Sequence, residues 1–149
     1  VEGLVVEVVE FTRRVAKSAG VTVSTQFADD LPSVHADKVQ IQQVLLNLVL
    51  NAIDAMRATE RAPRELVLAV SAVPTTQLQV EVRDSGVGVP AADYERIFEA
   101  FYTTKPNGIG MGLWISRSII RDHGGELRAQ SNHRAPGATF TFSLPLAAK

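Results

Sequence analysis

Two carboxamides and a carboxylate interrupt an otherwise aliphatic run in Asn47-Leu48-Val49-Leu50-Asn51-Ala52-Ile53-Asp54-Ala55. At about 100° per residue, Asn47, Asn51 and Asp54 share roughly one sixth of a helix circumference. Gln40 and Gln43 extend that line toward the N-terminus, and Ile41, Val44, Leu45, Leu48, Ala52 and Met56 make the opposite stripe. A merely solvated face is built from Lys and Glu. Amides can ligate a hard cation through oxygen while donating to phosphate oxygens, so this helix reads as one wall of a site.

Two glycine-bearing segments can complete it. In Gly108-Ile109-Gly110-Met111-Gly112-Leu113 the glycines lead into a helix, whose N-terminus and backbone N–H groups can receive a polyphosphate. The spacing matches neither Gly-x4-Gly-Lys-Ser/Thr nor a dinucleotide-binding loop. In Asp84-Ser85-Gly86-Val87-Gly88-Val89, a carboxylate at a strand end can accept from an exocyclic amine, while the glycines let a flat ring approach the backbone. Taken alone, the first segment can equally be a tight turn and the second an Asx turn.

The elements that must position these groups follow from periodicity. Residues 2–19 form an amphipathic helix with Leu4, Val8, Phe11, Val15 and Ala19 on one side, closed by Gly20 in the left-handed conformation. Val21, Val23, Thr25 and Phe27 alternate as a half-buried strand. Asp37 and Gln40 match a capping box, starting the Asn-bearing helix at Lys38 and running it to about Ala58. Strands are predicted over about 65–72 and 77–83 around a turn at Pro74-Thr75-Thr76. Asp93 is placed to cap a short helix through Ile97 and Phe98. The stretch 102–111 lacks periodicity and reads as a lid; a helix over 112–123 and strands over about 126–131 and 139–144 follow. The expected class is α+β: a two-layer sandwich, a mixed and mainly antiparallel sheet with helices on one face.

At 149 residues the chain is expected to be a single domain, 1–149. A net charge of −1 gives no basic field for nucleic acid. The absence of cysteine excludes disulfides and thiolate metal sites, and it fits a reducing, cytoplasmic compartment. The opening on Val1, within what reads as a helix, suggests a piece cut from a longer protein that could itself be membrane-anchored.

In this order the segments strongly resemble the ATP-binding catalytic domain of bacterial sensor histidine kinases, in the superfamily that includes gyrase-type and MutL-type ATPases. Residues 47–55 are similar to the N box, 84–88 to the first glycine box, Ile97-Phe98-Glu99-Ala100-Phe101-Tyr102-Thr103-Thr104-Lys105 to the phenylalanine box, and 108–113 to the second glycine box. The resemblance implies Mg²⁺ at Asn51, with Asn47 as second ligand or phosphate contact, and adenine read by Asp84. It implies Gly86, Gly88 and Val89 lining the base pocket, and Ile97 and Leu113 as its walls. Thr103, Thr104, Lys105, Gly108, Gly110, Met111 and Gly112 would form the lid over the phosphates, with Lys105 toward the β/γ end.

Hydrolysing members, and the serine kinases that bind sigma factors, carry Glu four residues before the metal-binding Asn. Asn47 stands there, and a carboxamide cannot act as general base. Transfer to histidine, whose neutral ring nitrogen is already nucleophilic, is therefore the expected reaction. None of His35, His123 and His133 lies in the family's phosphoacceptor context, so the acceptor is expected on a separate dimerisation domain of the same protein, with a response regulator receiver domain as the next partner. A weakly catalytic nucleotide-sensing module and a hydrolytic ATPase are the alternatives. Asp54, where many relatives have Lys or Arg, resembles the nitrogen-regulation and oxygen-sensing subgroup. Arg57 could supply the missing charge. Ala138 replaces a Thr that in many relatives supports the aspartate, and the neighbouring Thr139 is expected to face the other way.

Overall fold

The computed structural model describes residues 1–60, 63–73, 76–102, 111–132 and 135–147. Helix α1 (Glu2–Ser18) leads to strand β1 (Val21–Phe27), then α2 (Lys38–Arg57), β2 (Arg64–Val73), β3 (Gln77–Asp84), two short 3₁₀ turns (Ala91–Asp93 and Arg96–Phe98), α3 (Gly112–Asp122), β4 (Leu127–Ser131) and β5 (Ala138–Pro145). The five strands form one sheet in the order β1-β2-β3-β5-β4. Among the described residues only β1 and β2 pair in parallel, across the α2 crossover; β2 with β3, β3 with β5 and β4 with β5 are antiparallel.

Alternation along the strands makes one buried face. Register puts Val70, Val80, Phe142 and Leu127 in one row, and Leu68, Val82, Phe140 and Ala129 in the next. All eight are buried, and on α2 so are Ile41, Val44, Leu45, Leu48, Ala52 and Met56, the stripe opposite Asn47 and Asn51. The α2 N-terminus is capped as its sequence requires: the Asp37 side chain accepts from Gln40 N at 3.1 Å. Gly20, at φ +69°, turns the chain out of α1 into β1.

Two expectations need correction. On α1 the buried face is Val5, Val8, Thr12 and Ala16, whereas Phe11 is 76% exposed and Val15 37%. Both stripes have helical period. What permits the polar one to turn inward is the Thr12 hydroxyl, which donates to Val8 O at 2.8 Å and needs no water. The short helix after the glycine segment is instead two 3₁₀ turns, and Asp93 lies inside the first rather than capping a helix. Its carboxylate stands 3.9 Å from Arg96 Nη1. Phe98 anchors the second turn edge-to-face on Phe140, with Arg117 stacked over its ring. The predicted turn residues Pro74 and Thr75 lie outside the described residues, although Val73 opposite Gln77 establishes the antiparallel pairing they join.

Candidate functional site

Asp84 is the last residue of β3 and continues the inward row Leu78, Val80, Val82, so the pleat delivers a carboxylate onto the buried face where the sheet ends under α2. It is 3% exposed. Its Oδ1 accepts from Gly86 N at 2.8 Å and Ala138 N at 3.3 Å. The position expected to need a Thr hydroxyl is thus served by the backbone N–H of Ala138. Oδ2 makes no hydrogen bond among the described residues, yet no fully buried side-chain polar atom there is without a partner, so this oxygen opens to solvent. Burial pushes the carboxyl above its ordinary range, against the opposing pull of the Gly86 and Ala138 N–H groups. One pinned oxygen and one open oxygen make an acceptor aimed out of the core.

The loop after Asp84 is fastened to α2. Val87 N donates to Ala55 O at 3.3 Å. Gly86 lies so close that an added Cβ would meet Ala55 C and O at 2.6 Å, so this glycine is needed for space. The Ser85 hydroxyl donates to Pro63 O at 3.0 Å and accepts from Glu65 N at 2.9 Å. Val89 is half-buried, and its carbonyl accepts from Ser131 Oγ at 2.7 Å.

At the other end, Asn47 faces α3. Its Nδ2 donates to Ser116 Oγ at 3.1 Å and reaches Gly112 O at 3.4 Å, leaving Oδ1 without a hydrogen bond among the described residues. Asn51, one turn on, is half-buried on the same face. Helix α3 starts after Met111, and among the described residues no side chain caps its first N–H groups. Leu113 and Ile97 are half-buried against the core. The remaining predicted site residues Thr103, Thr104, Lys105, Gly108 and Gly110, which make up most of the lid, lie outside the described residues.

His123 has a structural role. Its Nδ1 lies 2.8 Å from Ile119 O, a pure acceptor, which fixes the proton on Nδ1 and leaves Nε2 to accept from Asp37 N at 3.0 Å. His35 is exposed, and His133 lies outside the described residues. Arg57 is exposed in the last turn of α2. Three further residues lie beside the site: Ser131 and Asn132 at the end of β4, and Tyr94, whose hydroxyl accepts from Ser131 N at 2.8 Å. Thr139 does point away from the Asp84 carboxylate; it donates to Asn132 Oδ1 at 2.6 Å. No spacing signal marks Ser131, Asn132 or Tyr94, because Ser131 Oγ meets Val89 O, Asn132 Nδ2 meets Asp84 O and Tyr94 Oη meets Ser131 N, all far apart in sequence.

Residues 36–148 match the family described as histidine kinase-, DNA gyrase B-, and HSP90-like ATPase, and the chain belongs to it. Within that family it is similar to sensor kinases. Sensor protein FixL of Bradyrhizobium diazoefficiens is 49% identical over 114 residues, covering 76% of this chain and 22% of FixL. Full-length ShkA in complex with AMPPNP superposes with a TM-score of 0.86 at 30% identity, over 99% of this chain and 30% of that one. Histidine kinase ThkA in complex with response regulator protein TrrA superposes at 0.82 with 29% identity, over 99% and 40%. The chain spans about a fifth of the length of the curated relatives it matches. Among the described residues no helix is long and apolar enough to cross a membrane.

Proposed function

We propose that this chain is the ATP-binding catalytic domain of a sensor histidine kinase, which passes the γ-phosphoryl of ATP to a histidine on a dimerisation and phosphoacceptor domain of the same protein. The observation that carries the reading is Asp84, a carboxylate presented from the buried face with Oδ1 fixed by two N–H groups and Oδ2 open. An exocyclic amine donates to such an oxygen, and the resemblance assigns Gly86, Gly88 and Val89 to the wall beside the ring.

The α2 amides serve the phosphate end. Among the described residues no group of three or more His, Cys, Asp or Glu could hold a metal by itself. Neutral amide oxygens at Asn47 and Asn51 suit Mg²⁺ that arrives with the nucleotide and keeps waters and phosphate oxygens as its other ligands. When bound there, the ion would neutralise phosphate charge during transfer. Asn47 holds α3 through its amide N–H groups and offers no base, so water is not activated at this position and the acceptor must bring its own nucleophilicity. The start of α3 offers N–H groups for phosphate oxygens, while the lid role that the resemblance implies for Thr103, Thr104, Lys105, Gly108 and Gly110 falls outside the described residues. A response regulator is the next partner, by analogy with the ThkA–TrrA complex.

The test supplies a separate dimerisation and phosphoacceptor domain and follows label from γ-labelled ATP. Wild-type chain should label the acceptor histidine, and Asn51→Ala or Asp84→Asn should reduce labelling at least tenfold. Undiminished transfer by both variants would refute the assignment. Rapid phosphate release without acceptor would point to a hydrolase.

A further inference from the structure

We infer that Asn132 and Ser131, at the end of β4, are positioning residues that determine base specificity: they clamp the two ends of the 84–89 segment and so aim the Asp84 carboxylate. This rests on the reading of Asp84 as the group that meets the base amine. Asn132 Nδ2 donates to Asp84 O at 2.7 Å and to Pro136 O at 2.9 Å. Both partners are carbonyl oxygens, which only accept, so the two amide hydrogens are used and the orientation of the amide is fixed. Thr139, 7% exposed, donates its hydroxyl to Oδ1 at 2.6 Å, and Asn132 N donates to Gly137 O at 3.0 Å. Asn132 is half-buried, and its rigidity comes from having both amide hydrogens and its amide oxygen engaged rather than from burial.

Ser131 holds the other end. Its hydroxyl donates to Val89 O and its N–H to Tyr94 Oη, which ties the 3₁₀ region to the same strand end. The segment therefore has Asp84 O held by Asn132, Val89 O held by Ser131, and Val87 N held by α2. Gly137 closes the contact. At φ +100° it abuts the Asp84 carbonyl, where any Cβ would overlap. These clamps act on backbone carbonyls, so they set where the carboxylate points without touching a ligand.

The chemical consequence is discrimination between purines. An ionised carboxylate accepts from a 6-amino group and repels a 6-oxo group, but only if its open oxygen is held at hydrogen-bond distance in the ring plane. A loosened clamp lets the carboxylate retreat from both, so adenine loses an attraction and guanine loses a repulsion.

Calorimetry with ATP, GTP and inorganic tripolyphosphate, using displacement for weak ligands, tests this on the whole chain. Asn132→Leu and Thr139→Val should weaken ATP about tenfold, leave tripolyphosphate within about twofold, and lower the ATP-to-GTP preference by about tenfold or more. Ser131→Ala should move the same ratio by about threefold, and Thr139→Ser should keep the wild-type ratio because it keeps the hydroxyl. An unchanged ATP-to-GTP ratio, or an equal loss for all three ligands, overturns the inference. If Asn132→Leu does not fold by circular dichroism, the Thr139→Val and Thr139→Ser pair decides alone. An Asp84→Asn variant separates the two levels: if it also leaves the ratio unchanged, the base-reading role of Asp84 is what has failed.

Discussion

Replacing Gly86 by Ala tests whether the base loop depends on contact with the α2 backbone. An ideal Cβ there would stand 2.6 Å from Ala55 C and O and 2.8 Å from Met56 N, whereas ordinary contact begins at 3.4 Å. The atoms it meets belong to a helix backbone, so the loop must move, by about 0.8 Å. Val87 N already lies 3.3 Å from Ala55 O, and that retreat carries it beyond hydrogen-bond range. Overpacking costs about 1–3 kcal/mol and the lost bond about 1 kcal/mol, so unfolding in urea should show a destabilisation of roughly 2–4 kcal/mol. Because Gly86 N is also a donor to Asp84 Oδ1, the carboxylate is re-aimed and ATP affinity by calorimetry should fall about tenfold. Gly3→Ala is the control. It meets nothing within 4 Å in α1 and should leave stability unchanged or raise it by up to about 1 kcal/mol. A Gly86→Ala chain with stability within about 0.5 kcal/mol of wild type and unaltered ATP affinity would refute the packing argument.

Asp84→Asn should weaken ATP by about 10–100-fold, the worth of a charge-assisted hydrogen bond, while raising neutral-pH stability. The sign follows from the raised carboxyl: the folded chain holds that proton to higher pH than the unfolded chain. Its contribution to stability is therefore full below the ordinary carboxylate pKa and is lost as pH rises through the folded value. The variant's thermal advantage should accordingly vanish in acid, and wild-type ATP binding should weaken as pH falls through the same range, both readable by melting and calorimetry across pH. His123→Ala removes the acceptor for Asp37 N and the donor to Ile119 O, and should lower denaturant stability by about 1–2 kcal/mol; no change would remove His123 as the tie between the two helix ends. Val8→Ala should cost about 2 kcal/mol and Phe11→Ser less than about 0.5, and the reverse order would contradict the buried face of α1.

The parts of the fold legible in sequence are those with one strong period. On α2, apolar residues at helical spacing leave a single possible buried stripe, and the capping box fixes its start within a residue, as Asp37 shows. On α1 two overlapping apolar stripes compete, and only the Thr12 back-bond to Val8 shows why the half-polar one goes inside. The same contrast holds in the site. Asp84 is readable because it continues an alternating strand into a glycine pair, and Asn47 because it breaks an apolar run. Ser131, Asn132 and Thr139 are not readable, since each acts on a main-chain carbonyl or an amide brought near only by the antiparallel pairing of β5 with both β3 and β4.

One helix carries both ends of the site, and that makes its length between them a testable quantity. Ala55, through its carbonyl, fastens the loop after Asp84, while Asn47, two turns earlier, fastens the start of α3. Eight residues at 1.5 Å each separate them by about 12 Å along the axis. The loop after Asp84 and the start of α3 are therefore anchored at a fixed distance and angle by the rigidity of α2. Inserting one Ala between Asn51 and Ala52 would rotate everything beyond it by about 100° and advance it by about 1.5 Å. Either the buried residues Ala52, Ile53 and Met56 leave the core, or Asn47 and Asn51 leave the site. The chain should lose several kcal/mol of stability, or keep its fold and lose ATP binding altogether. If calorimetry found full stability together with unimpaired ATP affinity, the two ends would not be coupled through the helix.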